Sequence, residues 1–261
     1  MTTQYQTPPE AGNFVGLLPC AGRNERFPLP FAKELLPVRM DGELRPVCEC
    51  AVNRLIVAGV SEIVLVARLD KLDVVRHIVA TFGHCCRFAI AIQQSFPTHG
   101  KSRGLLQAIA AALPWIAGRN VLMALPDTVI GPEAVLRDLA LELQSGGDAV
   151  FGVFPTEHPE QLAPVVSGAS GRIVEIRDKP ATSEIKNTWG CIAWSPAFSR
   201  RLGAEVQRDP GLDFPSFLEA SLKAGQVFIR KDVEGAYFHD IGGSSAWFSN
   251  LGLHAHPTVA G

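Results

Sequence analysis

The chain has 261 residues, 47% of them hydrophobic, which is enough to bury one large core. Lys and Arg number 24 against 26 Asp and Glu, a formal charge of -2, so neither nucleic acid nor an acidic membrane surface is expected as a partner. No apolar run reaches the roughly 18 residues of a membrane span. The opening residues carry no signal-peptide pattern, and the six cysteines (Cys20, Cys48, Cys50, Cys85, Cys86, Cys191) form no C-x-x-C pair. Reduced, mostly buried thiols in a cytoplasmic protein are expected.

Residues 1–12 (MTTQYQTPPEAG) are polar and proline-bearing and read as a flexible N-terminal arm. FVGLLP (14–19) reads as the first strand. Residues 46–60 form a helix with Val47, Ala51, Leu55 and Ala58 on one face. EIVLVA (62–67) is a continuous apolar run, the pattern of a strand covered on both faces. Helix 70–83 has Leu72, Val75, Val79 and Phe82 in phase and Gly83 at its end. RFAIAIQ (87–93) is a third strand, SRGLLQAIAAALPWI (102–116) a helix until Pro114, NVLMALP (120–126) a fourth strand, 133–146 a helix and DAVFGVF (148–154) a fifth strand.

This alternation predicts an α/β fold, a Rossmann-like, mostly parallel sheet flanked by helices. Ligands of such sheets bind outside the carboxyl ends of the strands, which directs attention to residues 19–33, 67–70, 93–104 and 126–130. Beyond residue 155, shorter strands are predicted at 163–167, 171–180 and 189–195, a helix at 212–225, and strands in QVFIRK and GAYFHD. They read as an elaboration of the same sheet, forming the far wall of a cleft. Residues 13–252 are expected to be one domain and 253–261 a tail; His254 and His256 in that tail lack the further partners a metal site needs.

The stretch PCAGRNERFPLPFAKELLPV (19–38) leaves the first strand with Ala21-Gly22, Arg23, Arg26 and Lys33. Glycine lets backbone amides approach a phosphate, arginine suits bidentate phosphate contact, and lysine supplies a point charge. A cation cluster is ordinarily a solvated face; its place at the carboxyl end of the first strand argues for a phosphate site. A dinucleotide fingerprint would need G-x-G-x-x-G, of which only Gly22 is present.

Gly22-Arg23-Asn24-Glu25-Arg26 followed by Ala32-Lys33-Glu34-Leu35-Leu36-Pro37 resembles the signature of the sugar-phosphate nucleotidyltransferases, the glucose-1-phosphate thymidylyltransferase-like NDP-sugar pyrophosphorylases. The resemblance covers most of residues 14–250. It implies a fold of the nucleotide-diphospho-sugar transferase type and transfer of a nucleotidyl group from an NTP to a sugar 1-phosphate. It places Arg26 and Lys33 as catalytic cations and Ala21, Gly22 and Arg23 on the nucleotide. Asn24 and Glu25 stand where the family has a second glycine and Ser or Thr. The seven-residue step from Arg26 to Lys33 resembles cytidylyltransferases acting on polyol phosphates.

Asp127 in MALPDTVI and Asp240 in YFHDIGG each follow a strand. A lone strand-end Asp is often a turn or cap residue. Both match the family's metal aspartates, however, which implies Mg²⁺ as cofactor. Asp178-Lys179-Pro180 resembles the family's E-K-P turn, implying sugar contact by Asp178 and sugar-phosphate contact by Lys179. Gln93-Gln94 with Gly104-Leu105 resembles its base-binding segment, with Gln94 and Gly104 preferred. Asn187-Thr188-Trp189-Gly190 resembles a strand of further sugar contacts, although Trp189 and Trp194 equally suit a core. The expected partners are therefore an NTP and a sugar 1-phosphate, with a homo-oligomer left open. Two alternatives stand beside transfer to a sugar phosphate: a cytidylyltransferase for another phosphorylated alcohol, and a catalytically weak nucleotide or sugar-nucleotide sensor on the same fold.

Overall fold

The structure is a computed structural model that describes residues 14–22, 31–40, 42–94, 104–241 and Trp247. The expected arm and tail, and with them Arg23, Asn24, Glu25, Arg26, His254 and His256, lie outside the described residues. Strand β1 (Phe14–Pro19) leads through a short turn (Lys33–Leu35) to the hairpin β2 (Pro37–Met40) and β3 (Glu43–Pro46). Helix α1 (Cys48–Val57), β4 (Glu62–Ala67), α2 (Leu72–Phe82), β5 (Arg87–Ile92), α3 (Gly104–Ile116) and β6 (Asn120–Ala124) complete the first half. There follow β7 (Thr128–Gly131), α4 (Val135–Gln144), β8 (Ala149–Pro155), β9 (Val165–Ser167), β10 (Ile173–Ile176), β11 (Asn187–Trp194), α5 (Pro196–Arg208), α6 (Phe214–Lys223), β12 (Phe228–Asp232) and β13 (Tyr237–Asp240).

The central sheet has seven strands in the order β12-β8-β11-β6-β1-β4-β5. All pairings are parallel except those of β11, which runs antiparallel to both β6 and β8. Alternation along β1 divides the core. Phe14 and Leu18 face a cluster containing Leu55, Val74, Ile78, Leu136 and Leu139 of α1, α2 and α4. Val15 and Leu17 face one containing Leu106, Ile109, Phe198, Leu202, Phe217 and Leu218 of α3, α5 and α6. Period-two side-chain direction thus yields three layers, helices over both faces of a sheet.

The order reverses at β1. From there the chain builds outward through β4 to β5, then crosses back to place β6 on the other side of β1. Such a switch point opens a crevice at the strands' carboxyl ends. The residues bordering it are Ala21 and Gly22 after β1 and Asp127 after β6.

Several expectations are corrected. Only β8, β11 and β12 of the second half join the central sheet; β9 with β10 and β7 with β13 form separate two-stranded sheets. The strand expected over 171–180 is confined to Ile173–Ile176. Helix α3 continues to Ile116, because Pro114 in its last turn forfeits one backbone bond without stopping it. Helix α5, hairpin β2–β3 and strand β7 are additional. Trp194 is fully buried against Phe198, a core residue, and Trp189 packs on Phe151 and Phe214. Five cysteines are buried, in line with mostly buried thiols, and Cys85 is exposed. No helix among the described residues is long and apolar enough to cross a membrane.

Candidate active site

A third, small apolar cluster assembles the crevice wall. It joins Leu36 behind the Lys33 turn, Val47 and Cys50 of the α1 start, Val129 of β7 and Ile241 after β13. Its burial brings the Lys33 turn against the strands that flank Asp127 and Asp240.

Those strands place the two aspartates side by side. β13 runs antiparallel to β7 with Asp240 opposite Thr128, and the Ile241 amide donates to the Asp127 carbonyl at 3.0 Å. The Thr128 hydroxyl donates to the Leu125 carbonyl at 3.1 Å and closes the turn that carries Asp127. Buried Arg54 of α1 braces both strands: Nε donates to the Ile130 carbonyl at 3.0 Å and Nη2 to the Tyr237 hydroxyl at 3.3 Å. The Tyr237 ring lies so close over Gly131 that a Cβ there would meet it at 2.1 Å.

Lys33 is ion-paired with Asp127, their side chains only 13% and 19% exposed. Burial opposes the Lys33 charge. The charge and hydrogen bond of Asp127, with Glu34 and Asp240 behind it, outweigh that and hold the ammonium above the ordinary lysine range. Gly22 adjoins this lysine, since a Cβ at residue 22 would stand 3.9 Å from Lys33 Cε.

Beneath them lies a second, buried pair. Lys71, just beyond β4, donates to Glu34 Oε1 at 2.8 Å, to Glu34 Oε2 at 2.7 Å and to the Gly22 carbonyl at 2.6 Å. Burial raises the Glu34 carboxyl above its usual range despite the opposing pull of Lys71. The sequence reading did not single out Glu34, Lys71 or Arg54 for the site. The available signal for Lys71 was its place at the ligand-binding end of β4.

Of the expected site residues, the structure brings Gly22, Lys33, Asp127 and Asp240 together, with buried Ala21 behind Gly22. Gln94 is exposed just past β5, and Gly104 opens α3 with φ of +42°, a left-handed backbone that glycine adopts without strain. Asp178 and Lys179 are exposed on a turn beyond β10, whose Lys179 amide donates to the Leu162 carbonyl at 2.8 Å. No hydrogen bond or ion pair among the described residues ties their side chains to Lys33 or the aspartates. Lys179 has φ of +43°, the only positive value at a non-glycine among the described residues. Such backbone strain in an exposed turn is a pointer to function.

The donor set suits a hard divalent ion. Asp127, on the turn before β7, and Asp240, at the end of the neighbouring β13, offer carboxylate oxygens. Among the described residues no group of three or more His, Cys, Asp or Glu side chains forms a ligand cage. Mg²⁺ binds in this way, through one or two carboxylates completed by substrate phosphates.

A family model described as the MobA-like NTP transferase domain matches residues 16–204. The chain therefore belongs to that family and is of the nucleotidyltransferase class. Solved structures share the fold. A protein from Bacillus anthracis, provisionally assigned as a glucose-1-phosphate thymidylyltransferase and bound to sucrose, superimposes with a TM-score of 0.77 at 18% identity, over 95% of this chain and 98% of that one. A UDP-glucose pyrophosphorylase complexed with UDP-glucose gives 0.76 at 17% identity, covering 92% and 98% of the two chains. The UTP-bound UGPase of Acinetobacter baumannii gives 0.71 at 15% identity, covering 92% of each. No curated protein sequence matches the chain. The expected fold class is thereby borne out, and of the expected kinship the family model bears out the nucleotidyltransferase class.

Proposed function

We propose that this protein joins an NTP to a sugar 1-phosphate, giving an NDP-sugar and pyrophosphate. A phosphate oxygen of the sugar phosphate attacks the α-phosphorus of the NTP. The bond from that phosphorus to the oxygen bridging the β-phosphate breaks, and pyrophosphate departs with the electron pair. Both reactants are polyanions, so the protein's task is to place them in line and offset their charge. Lys33 faces the developing charge, and the Gly22 backbone lies beside it where a triphosphate leaves the end of β1. In this reading Arg23 and Arg26 add cations to the same loop. Gln94 and Gly104 receive the base, and Asp178 and Lys179 receive the sugar phosphate.

Asp127 and Asp240 are the residues that would hold Mg²⁺, which when bound neutralises phosphate oxygens. The observation that carries the proposal is the assembly of Gly22, Lys33, Asp127 and Asp240 at the switch-point crevice. A second reading, a nucleotide or sugar-nucleotide sensor, is favoured by Glu25, whose carboxylate would repel a triphosphate, and by Asn24 in place of glycine.

A matrix of five NTPs (ATP, GTP, CTP, UTP, dTTP) against hexose 1-phosphates and polyol phosphates, read by pyrophosphate release, separates the readings. Turnover with a hexose 1-phosphate is expected. Turnover only with CTP and a polyol phosphate would identify the cytidylyltransferase alternative. NTP binding without turnover would identify the sensor.

A further inference from the structure

We propose that Lys71, together with Glu34, is a positioning residue of the transfer site: its ammonium draws the Gly22 carbonyl inward and fixes the backbone on which Lys33 is carried. This rests on the nucleotidyl-transfer reading for the identity of the ligand.

An ammonium has three donor hydrogens, and Lys71 has three acceptors within 2.8 Å: both Glu34 carboxylate oxygens and the Gly22 oxygen. The side chains of Lys71 and Glu34 are 8% and 1% exposed. Removing two charges from water costs several kcal/mol per ion, and apolar replacements of such pairs are often as stable or more so. Stability alone is thus a weak reason for the pair. Its placement supplies a better one. A carbonyl oxygen turned toward a triphosphate repels it; held on a buried cation, the Gly22 oxygen is kept from that orientation.

Glu34 does the same for the other side of the crevice. It adjoins Lys33 in a tight turn with about three residues per revolution, so successive side chains diverge by roughly 120°. With Glu34 committed inward to Lys71, Lys33 is left to point at Asp127, as observed. One buried cation from the end of β4 therefore ties together the exit of β1 and the turn that presents Lys33.

The test replaces the pair in the full-length protein by Glu34→Leu/Lys71→Met and, in parallel, by Glu34→Gln/Lys71→Met. Folding is checked by circular dichroism. In the folded variants Tm should stay within about 5 °C of wild type, and KM for the NTP should rise about tenfold or more while KM for the sugar phosphate moves less than about threefold. A merely structural role would lower Tm and move both constants alike. A wild-type NTP KM in either folded variant overturns the proposal, as does failure of both variants to fold, which would make the pair a requirement of folding. If the wild-type chain binds NTP without turnover, the transfer reading fails separately, and calorimetric titration with that NTP decides the inference by the same tenfold criterion. If it binds no NTP, both fall.

Discussion

The Ile241 amide donates to the Asp127 carbonyl at 3.0 Å, and this bond sets Asp240, one residue earlier, alongside the end of β6. Residues 113 positions apart thus share one corner of the crevice through backbone pairing, which Arg54 and the apolar cluster around Val129 and Ile241 hold in place.

Asp127→Asn and Asp240→Asn should each lower kcat/KM by on the order of 100-fold or more, since each removes a carboxylate that would hold Mg²⁺ against the phosphates of the bound polyanions. Asp240→Asn should change folding little, whereas Asp127→Asn, which takes the counter-charge from the largely buried Lys33 ammonium, should also lower Tm. Activity measured beside thermal melting checks this; near-normal turnover in both variants would remove the aspartates from the site.

Gly131→Ala should destabilise the protein by about 1–3 kcal/mol, the usual cost of overpacking. The added methyl would meet the Tyr237 ring, and the displacement passes along β13 to Asp240. Activity should therefore fall further than the loss of folded protein explains. Urea unfolding and specific activity of the folded fraction give the comparison, and a fully active, fully stable variant would contradict the close packing of β7 and β13.

Lys33→Ala and Lys179→Ala should differ by substrate. Lys33 adjoins Gly22 and Asp127, on the side assigned to the triphosphate, whereas Lys179 lies on the strained turn beyond β10. Separate binding isotherms should show the first variant losing NTP affinity most and the second losing sugar-phosphate affinity most. Equal losses of both ligands in both variants would argue against two subsites.

Cys85 should be the one thiol alkylated quickly by iodoacetamide at pH 8. The other five cysteines are buried. Burial, with Cys85 adding to it, pushes the Cys86 thiol up to about 11, so at pH 8 it is protonated as well as shielded. Peptide mapping after brief labelling checks the order; rapid modification of Cys20 or Cys191 would contradict the packing around them.

What was legible in the sequence follows from what carries a pattern. EIVLVA and FVGLLP are continuous apolar runs, and the structure places them side by side as non-edge strands of the sheet. Asp127 was found because a strand ends just before it, and Lys33 because an entire loop signature surrounds it. The four-residue strands β2, β3 and β7 are too short for a period to register. Helix α5 had a signal that went unread: Ser195 before Pro196, then Phe198, Leu202 and Val206 four residues apart. Lys71 had only its place at the end of β4, and its pairing with Glu34 had no signal, because two charged residues 37 positions apart look like ordinary solvated surface until the fold buries them together. GAYFHD showed its strand character but not its partner, since alternation reveals a strand without revealing which sheet it joins.

The fate of each phosphate tests the central claim most directly. The NTP and sugar 1-phosphate chosen from the substrate matrix are incubated with the protein and Mg²⁺, in one reaction with label in the α-phosphate and in another with label in the γ-phosphate. Attack at the α-phosphorus predicts that α-label appears in the NDP-sugar and γ-label in pyrophosphate, with both products lost in Asp127→Asn. Label from the γ-position in the sugar product, or no transfer of either label by a protein that binds the NTP, would contradict the account.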